Sequence, residues 1–293
     1  MKLGVMLSGD VAAMPARARL AEDIGVESVW LAEHLAWPTE NDSTYPYTES
    51  GRAPVQDGRF ATQDPWVALA AIAHATERVR LGTSVYVLPL RDPHVTARAV
   101  STLDVLSGGR TELGIGVGWL EEEFVAVGQH FRTRGARTNE IVQILRGLFS
   151  DGDYAHEGDH YSFPSLCFEP KPPQGDLLPI LAGGESAPAL RRAATVADGW
   201  IGLRHTPETA AAKVATLREL RAGGPRSGTP FSVTVGVSRN TDKDAVAAYR
   251  DAGVDRICVP PWRRDEEPEQ GIAQLAELVA ICADIGPHDF PLA

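Results

Sequence analysis

Only three cysteines occur in the chain, Cys167, Cys258 and Cys282, and none belongs to a C-x-x-C pair. That scarcity argues against a disulfide framework or a zinc cluster and is compatible with a reducing cytoplasm. Basic residues are also in short supply: 28 Lys and Arg against 39 Asp and Glu give a formal net charge of -11. With no Lys/Arg-rich run either, nucleic acid is not an expected partner. An anionic ligand would need a local basic or helix-terminal site that works against the global field. No apolar stretch approaches the roughly 18 residues of a membrane span. The N-terminal "MKLGVMLSGD" has too short an apolar run for a signal peptide. The expectation is a cytoplasmic protein that works off the membrane.

What is present is a regular alternation. With 43% hydrophobic residues over 293 positions, the chain can bury a sizeable core. The strand candidates are "KLGVML" (2–7), "ESVWLA" (27–32), "VRLGTSVYVL" (79–88), "TELGIGV" (111–117), "LPILAG" (178–183), "GWIGL" (199–203), "FSVTVGV" (231–237) and "RICVPP" (256–261). They read as continuous apolar runs, which suits parallel strands covered on both faces. Between them lie helices with recognisable starts. Asp64-Pro65, Asp92-Pro93 and Thr206-Pro207 each join an N-cap side chain to a proline at the first turn. "TDKD" (241–244) resembles a capping box with Asp for Glu. In the third helix Val95, Ala99, Leu103 and Leu106 keep the spacing of a buried stripe, and Gly108-Gly109 ends it. Eight strand–helix units predict a single α/β domain over 1–293, a (β/α)8 TIM barrel with insertion loops. An open doubly wound sheet is the alternative, but "LSGDVAA" at the first turn is not G-x-G-x-x-G.

Two long segments interrupt the rhythm. Residues 37–63 follow the second strand, on the side where barrels keep their active sites, and read as a lid. Residues 150–177 follow a helix instead, and "YAHEGDHYSF" there reads as a small hairpin used for packing or subunit contact.

In a barrel the C-terminal strand ends surround one pocket, so distant residues can be read together. "LAGGESAPAL" (181–190) sets Gly183, Gly184, Glu185 and Ser186 between a strand and a helix, where free N–H groups can hold a phosphate. A tight turn with Ser186 as ordinary N-cap fits the local pattern equally well. Arg134 and Arg137 are candidate cationic partners. Glu33 and His34 could relay a proton or hydrogen-bond a heteroaromatic ring, or could be satisfied polar residues at a strand end. Thr83-Ser84 interrupt a β-branched strand, as a bulge beside something flat or as a small-residue layer within the barrel. A metal is not expected, because the first strand lacks the H-x-H of metal-dependent barrel hydrolases. Trp37, Trp119 and Trp262 at the mouth suit a large planar ligand.

Seven segments in order resemble the luciferase-like monooxygenase superfamily of flavin- and deazaflavin-dependent oxidoreductases. They are "AEDIGVESVWLAEHLAWP" (21–38), "RLGTSVYVLPLRDP" (80–93), "TLDVLSGGRTELGIGVGWLEEEF" (102–124), "RGARTNE" (134–140), "EPKPPQ" (169–174), "ILAGGESAPALRRAATVADGW" (180–200) and "GVDRICV" (253–259). "LDVLSGGR" and "GVGWLEEEF" resemble the branch that uses the deazaflavin coenzyme F420. The resemblance implies a homodimer that moves a hydride between F420 and a small organic substrate. It places Glu33 and His34 at the ring, and His34 becomes the candidate for proton transfer. A non-proline cis peptide at Ser84-Val85 would back the ring, with Thr83, Gly116, Gly118, Trp119 and Arg137 around the cofactor. Gly183 to Ser186 would hold its phosphate.

Two departures limit the transfer. Enzymes of this branch often have Asp-His where this chain has Glu33-His34. Its sugar-phosphate dehydrogenases place a catalytic Glu where Trp119 stands, which argues against sugar-phosphate oxidation. The general acid therefore stays open among His34, Glu33 and the lid, with Glu122 as either a contributor or a helix cap. Trp37, Tyr45, Arg204, His205 and Trp262 are the substrate-side candidates, with Tyr47 and Arg52 also in the lid. An FMN-dependent monooxygenase is the runner-up, since FMN presents a similar tricycle and phosphate. A non-catalytic barrel subunit that binds only a cofactor or partner is the reading from another class.

Overall fold

A computed structural model describes residues 1–53, 62–261 and 268–288. Eight parallel strands close into a barrel: β1 (Lys2–Leu7), β2 (Ser28–Leu31), β3 (Arg80–Thr83), β4 (Thr111–Gly116), β5 (Ile180–Gly183), β6 (Gly199–Leu203), β7 (Ser232–Gly236) and β8 (Arg256–Val259). Closure runs through β1 on β8, with Lys2 opposite Arg256, and through β3 on β4, with Leu81 opposite Thr111. The helices that follow the strands are α1 (Met14–Asp23), α2 (Pro65–Ala75), α3 (Pro93–Ser107), α4 (Arg134–Phe149), α5 (Ala187–Val196), α6 (Pro207–Arg221), α7 (Lys243–Asp251) and α8 (Pro268–Ile285). This is the (β/α)8 barrel that the alternation predicts. None of the helices described is long and apolar enough to cross a membrane.

The continuous apolar runs follow from burial on two sides. On β2, Val29 and Leu31 join the large core between strands and helices, while Trp30 belongs to an inner cluster with Leu181, Ile201 and Cys258. Trp30 needs the room that glycine leaves: a Cβ at Gly82 would stand 2.4 Å from its ring, and one at Gly4 2.8 Å from Nε1. Under the indole, Arg256 lies 5.0 Å from the ring and pairs with Glu112 and Glu27. The N-terminal end of the barrel is thus plugged by ion pairs.

Helix starts follow the expected chemistry. Asp64 and Asp92 accept from the N–H groups two and three residues on, and Thr206 and Thr209 form a reciprocal capping box. The cap before α7 falls one residue later than "TDKD" suggests: Asp242 accepts from Ala245 N at 2.8 Å. The stripe on α3 also differs. Val95 and Leu106 are 62% exposed, and the buried face is Thr96, Ala97, Val100, Leu103 and Asp104. Two of those positions, Thr96 and Asp104, are residues that an apolar count passes over. Asp104, for example, is fully buried because it accepts from Thr111 N and from Gln174.

The predicted strand 79–88 is split. Its second part, Tyr86–Val87, pairs instead with Ile115 and Gly116. Thr83 crowds onto β4, where a Cβ at Gly114 would lie 1.8 Å from its carbonyl oxygen, and its Oγ1 donates to Gly114 O. Outside the barrel, Tyr154–Glu157 and Ser162–Leu166 pair as an antiparallel hairpin.

Candidate active site

The break between Thr83 and Tyr86 lies at the C-terminal mouth. The Ser84–Val85 peptide is cis, and Ser84 N donates to Leu31 O at 2.7 Å. Val85 fills space that two glycines leave: Cβ atoms at Gly116 and Gly183 would stand 2.5 and 2.8 Å from its methyl groups. The bulge therefore reaches from β2 across to the start of the glycine loop.

That loop joins β5 to α5. Gly184 has φ +115, where a side chain would be strained, and Trp200 Nε1 anchors its carbonyl at 2.9 Å. Ser186 caps α5 by accepting from Ala189 N. Among the described residues the N–H groups of Glu185, Ser186 and Ala187 have no acceptor, so they are open to an anion. The Glu185 carboxylate is already engaged. It accepts from Leu203 N at 3.1 Å and from His205 at 2.8 Å, while Lys213 Nζ lies 3.7 Å away. His205, a substrate candidate, binds Glu185 through Nε2 and Thr209 through Nδ1, so it braces the loop.

The two adjacent residues at the end of β2 have separate partners. Glu33 is 6% exposed and accepts from Arg91 with both oxygens, at 2.8 and 2.5 Å, and from Val87 N at 2.7 Å. Burial raises its carboxyl above the ordinary value, and Arg91 and the Val87 N–H only partly offset this. Its oxygens are occupied in tying β2 to the segment beyond the bulge. His34 instead places Nδ1 3.1 Å from Glu123 Oε2, and Glu123 Oε1 accepts from Leu35 N and Ala36 N.

Glu123 sits in a short helix, Glu121–Ala126, after β4. Its neighbour Glu122 faces the loop after β2, accepting from Asp42 N at 2.7 Å and from the Ser43 hydroxyl at 2.7 Å. Sequence reasoning considered Glu122 and missed Glu123. Three consecutive glutamates give no clue to which one points inward, and only the start and phase of the helix decide it.

The loop after β2 brings aromatic rings over the mouth. Successive centroid separations are 4.7 Å for His34–Trp37, 5.9 Å for Trp37–Trp119, 5.1 Å for Trp119–Tyr45 and 5.3 Å for Tyr45–Tyr47. All are edge-on, the arrangement favoured by ring quadrupoles. Tyr47 ends the row at the glycine loop, its hydroxyl 3.9 Å from where a Gly184 Cβ would be. Burial pushes its phenol up to about 12, with Glu185 adding to the effect. Arg204 holds φ +58, the only left-handed non-glycine backbone among the described residues. The guanidinium of Arg137 is spent on Pro89 O, Gln129 Oε1, His130 O and Thr133 Oγ1. That of Arg134 lies on Phe131 and donates to Gly118 O. Gly118 itself has φ +80, and a Cβ there would stand 2.7 Å from Phe124. Trp262 lies outside the described residues.

The sequence matches the luciferase-like monooxygenase family over residues 2–281. An uncharacterized protein of Mycobacterium tuberculosis is 34% identical over 242 residues, covering 83% of this chain and 82% of that one. A putative coenzyme F420-dependent oxidoreductase of the same organism is 31% identical over 268 residues, covering 85% and 69%. Among solved structures, the monooxygenase RslO1 from Streptomyces bottropensis superposes with a TM-score of 0.75 at 20% identity, covering 97% and 99%. A closed barrel with its bulge and glycine loop at one mouth, together with a match over nearly the full length, places this chain in the luciferase-like monooxygenase family.

Proposed function

We propose that the chain is a coenzyme F420-dependent oxidoreductase that transfers a hydride between that deazaflavin and a small organic substrate. The observation that carries this reading is the Val85 bulge, seated against Gly116 and Gly183 and one residue from the open N–H groups of the glycine loop. It offers a flat ring a backbone shelf and its phosphate a helix start in one continuous surface. When bound, the deazaflavin supplies a hydride-carrying carbon at its ring. The protein supplies position and electrostatics.

Thr83, Ser84 and Val85 would form the shelf, and Gly183, Gly184, Glu185 and Ser186 the phosphate cradle. Gly116, Gly118 and Trp119 would border the ring. Glu33 holds the end of β2 to Val87 and Arg91, and Arg137 holds the loop 129–133; both then act by fixing walls. His34 is the residue placed to hold or move a proton at a substrate oxygen. The aromatic row Trp37, Trp119 and Tyr45 favours a substrate with a planar or apolar body. Arg204, close enough to influence the Tyr45 phenol, offers a positive charge to its polar end.

FMN use is the second reading, favoured by the net charge of -11, which opposes the polyglutamate tail of the deazaflavin. Anaerobic titration of the protein with each cofactor, followed by quenching of its tryptophans, separates the two. Tight binding of the deazaflavin and weak binding of FMN is expected; the reverse order would make oxygen the co-substrate. We further propose that two copies associate as a homodimer. Sedimentation should give twice the 31.5 kDa chain mass, and a monomer at micromolar concentration would refute the pairing.

A further inference from the structure

We propose that Glu123 is the positioning residue that fixes His34 as the Nδ1–H tautomer and leaves Nε2 to meet the substrate. Its carboxylate is 1% exposed and bound on both oxygens: Oε2 to His34 Nδ1 at 3.1 Å, Oε1 to Leu35 N at 2.5 Å and Ala36 N at 3.2 Å. A carboxylate that already accepts from two backbone N–H groups has only acceptor capacity left, so the imidazole hydrogen must lie on Nδ1. The same two backbone bonds hold the turn that follows His34, so ring and turn are fixed together.

Among the described residues no other side chain hydrogen-bonds the imidazole. Glu33, the other acid next to it, is committed to Arg91 and Val87 N. The ring keeps 19% of its side chain exposed and lies edge-on to Trp37 and Trp119, the indoles that wall the mouth. With Nδ1 tied, Nε2 carries a lone pair. It can take the proton of a substrate hydroxyl, becoming an imidazolium whose charge Glu123 stabilises. In the opposite direction the same imidazolium returns that proton to the substrate oxygen. A carboxylate that sets the tautomer of a proton-handling histidine is worth orders of magnitude in rate where its role has been isolated.

The catalytic part of this proposal rests on the hydride-transfer reading; the tautomer does not. Long-range nitrogen–proton spectra of the imidazoles at mildly alkaline pH, with His34 assigned by its loss in His34→Gln, should show the Nδ1–H pattern. In Glu123→Gln the amide can still accept from Leu35 N and Ala36 N, but its NH2 now faces Nδ1 and should drive the ring to the Nε2–H form. With that variant kcat should fall by on the order of 10²–10⁴-fold while KM changes by no more than about twofold. An Nε2–H pattern in the parent protein would overturn the assignment whether or not the variant folds. A tautomer that switches with no loss of kcat would overturn the catalytic role. Failure of the parent protein to turn over with F420 would count against the proposed function alone, since the spectra still decide the pairing.

Discussion

Arg256→Ala should destabilise the protein by about 3–5 kcal/mol, because it removes one partner of a buried ion pair and leaves the other uncompensated. Arg256 is 3% exposed and donates to Glu27 at 2.8 and 3.0 Å, to both oxygens of Glu112 at 3.0 Å, and to Thr234 at 3.3 Å. Glu112 would be left inside the barrel with Arg80 alone. The loss corresponds to a fall in Tm on the order of 10 °C for a chain of this size, and a melting point within a degree of the parent would show that the plug contributes little. The same cluster gives a pH signature. Burial disfavours charge on Glu112, but Arg256 and Arg80 outweigh it and hold the carboxyl below its ordinary value. A depressed folded-state value means the stabilisation is fully present above the unfolded carboxylate range, about pH 4.3, and is lost as pH falls through the lower folded value. Melting temperature should therefore drop below about pH 4 in the parent protein and depend less on acid in the variant.

Ser186→Asp should abolish cofactor binding while sparing the fold. Asp is as good an N-cap as Ser, so the bond that Ser186 accepts from Ala189 N has a replacement, and α5 should keep its start. A carboxylate about 4 Å from a bound phosphate, at an effective dielectric near 20, repels it by about 4 kcal/mol, or roughly 10³-fold in Kd. The two halves of the expectation are measured separately, as an unchanged melting curve and as lost tryptophan quenching. Unchanged affinity would take the phosphate away from this loop.

Much of the fold was legible because burial on two faces writes itself as uninterrupted apolar runs. "KLGVML" and "GWIGL" match β1 and β6 residue for residue. Helix starts were legible wherever a short polar side chain precedes proline, as at Asp64, Asp92 and Thr206. The α3 stripe was misread because Thr96 and Asp104 are buried through hydrogen bonds, and an apolar count cannot register them. At the site, glycines gave the loop away, but partners did not show. Arg91 for Glu33, Glu123 for His34 and Lys213 for Glu185 are separated by 58, 89 and 28 residues. Only closure of the barrel brings them together, and no local spacing encodes it. The bonds of His205 to Glu185 and Thr209 were likewise invisible to composition, which carries residue type but not orientation.

The short helix Glu121–Ala126 has a consequence of another kind. Consecutive helix positions point about 100° apart, and this helix uses two of them for different neighbours, Glu122 for the loop at Asp42 and Ser43 and Glu123 for the imidazole at His34. The aromatic loop and the His34 imidazole therefore hang from one yoke. A residue inserted or deleted between Trp119 and Glu122 would rotate both attachments together, so the loop at Asp42 and Ser43 cannot be re-set at that point without also re-aiming His34. Changes in the loop itself, at Trp37, Tyr45 and Tyr47, leave the yoke fixed.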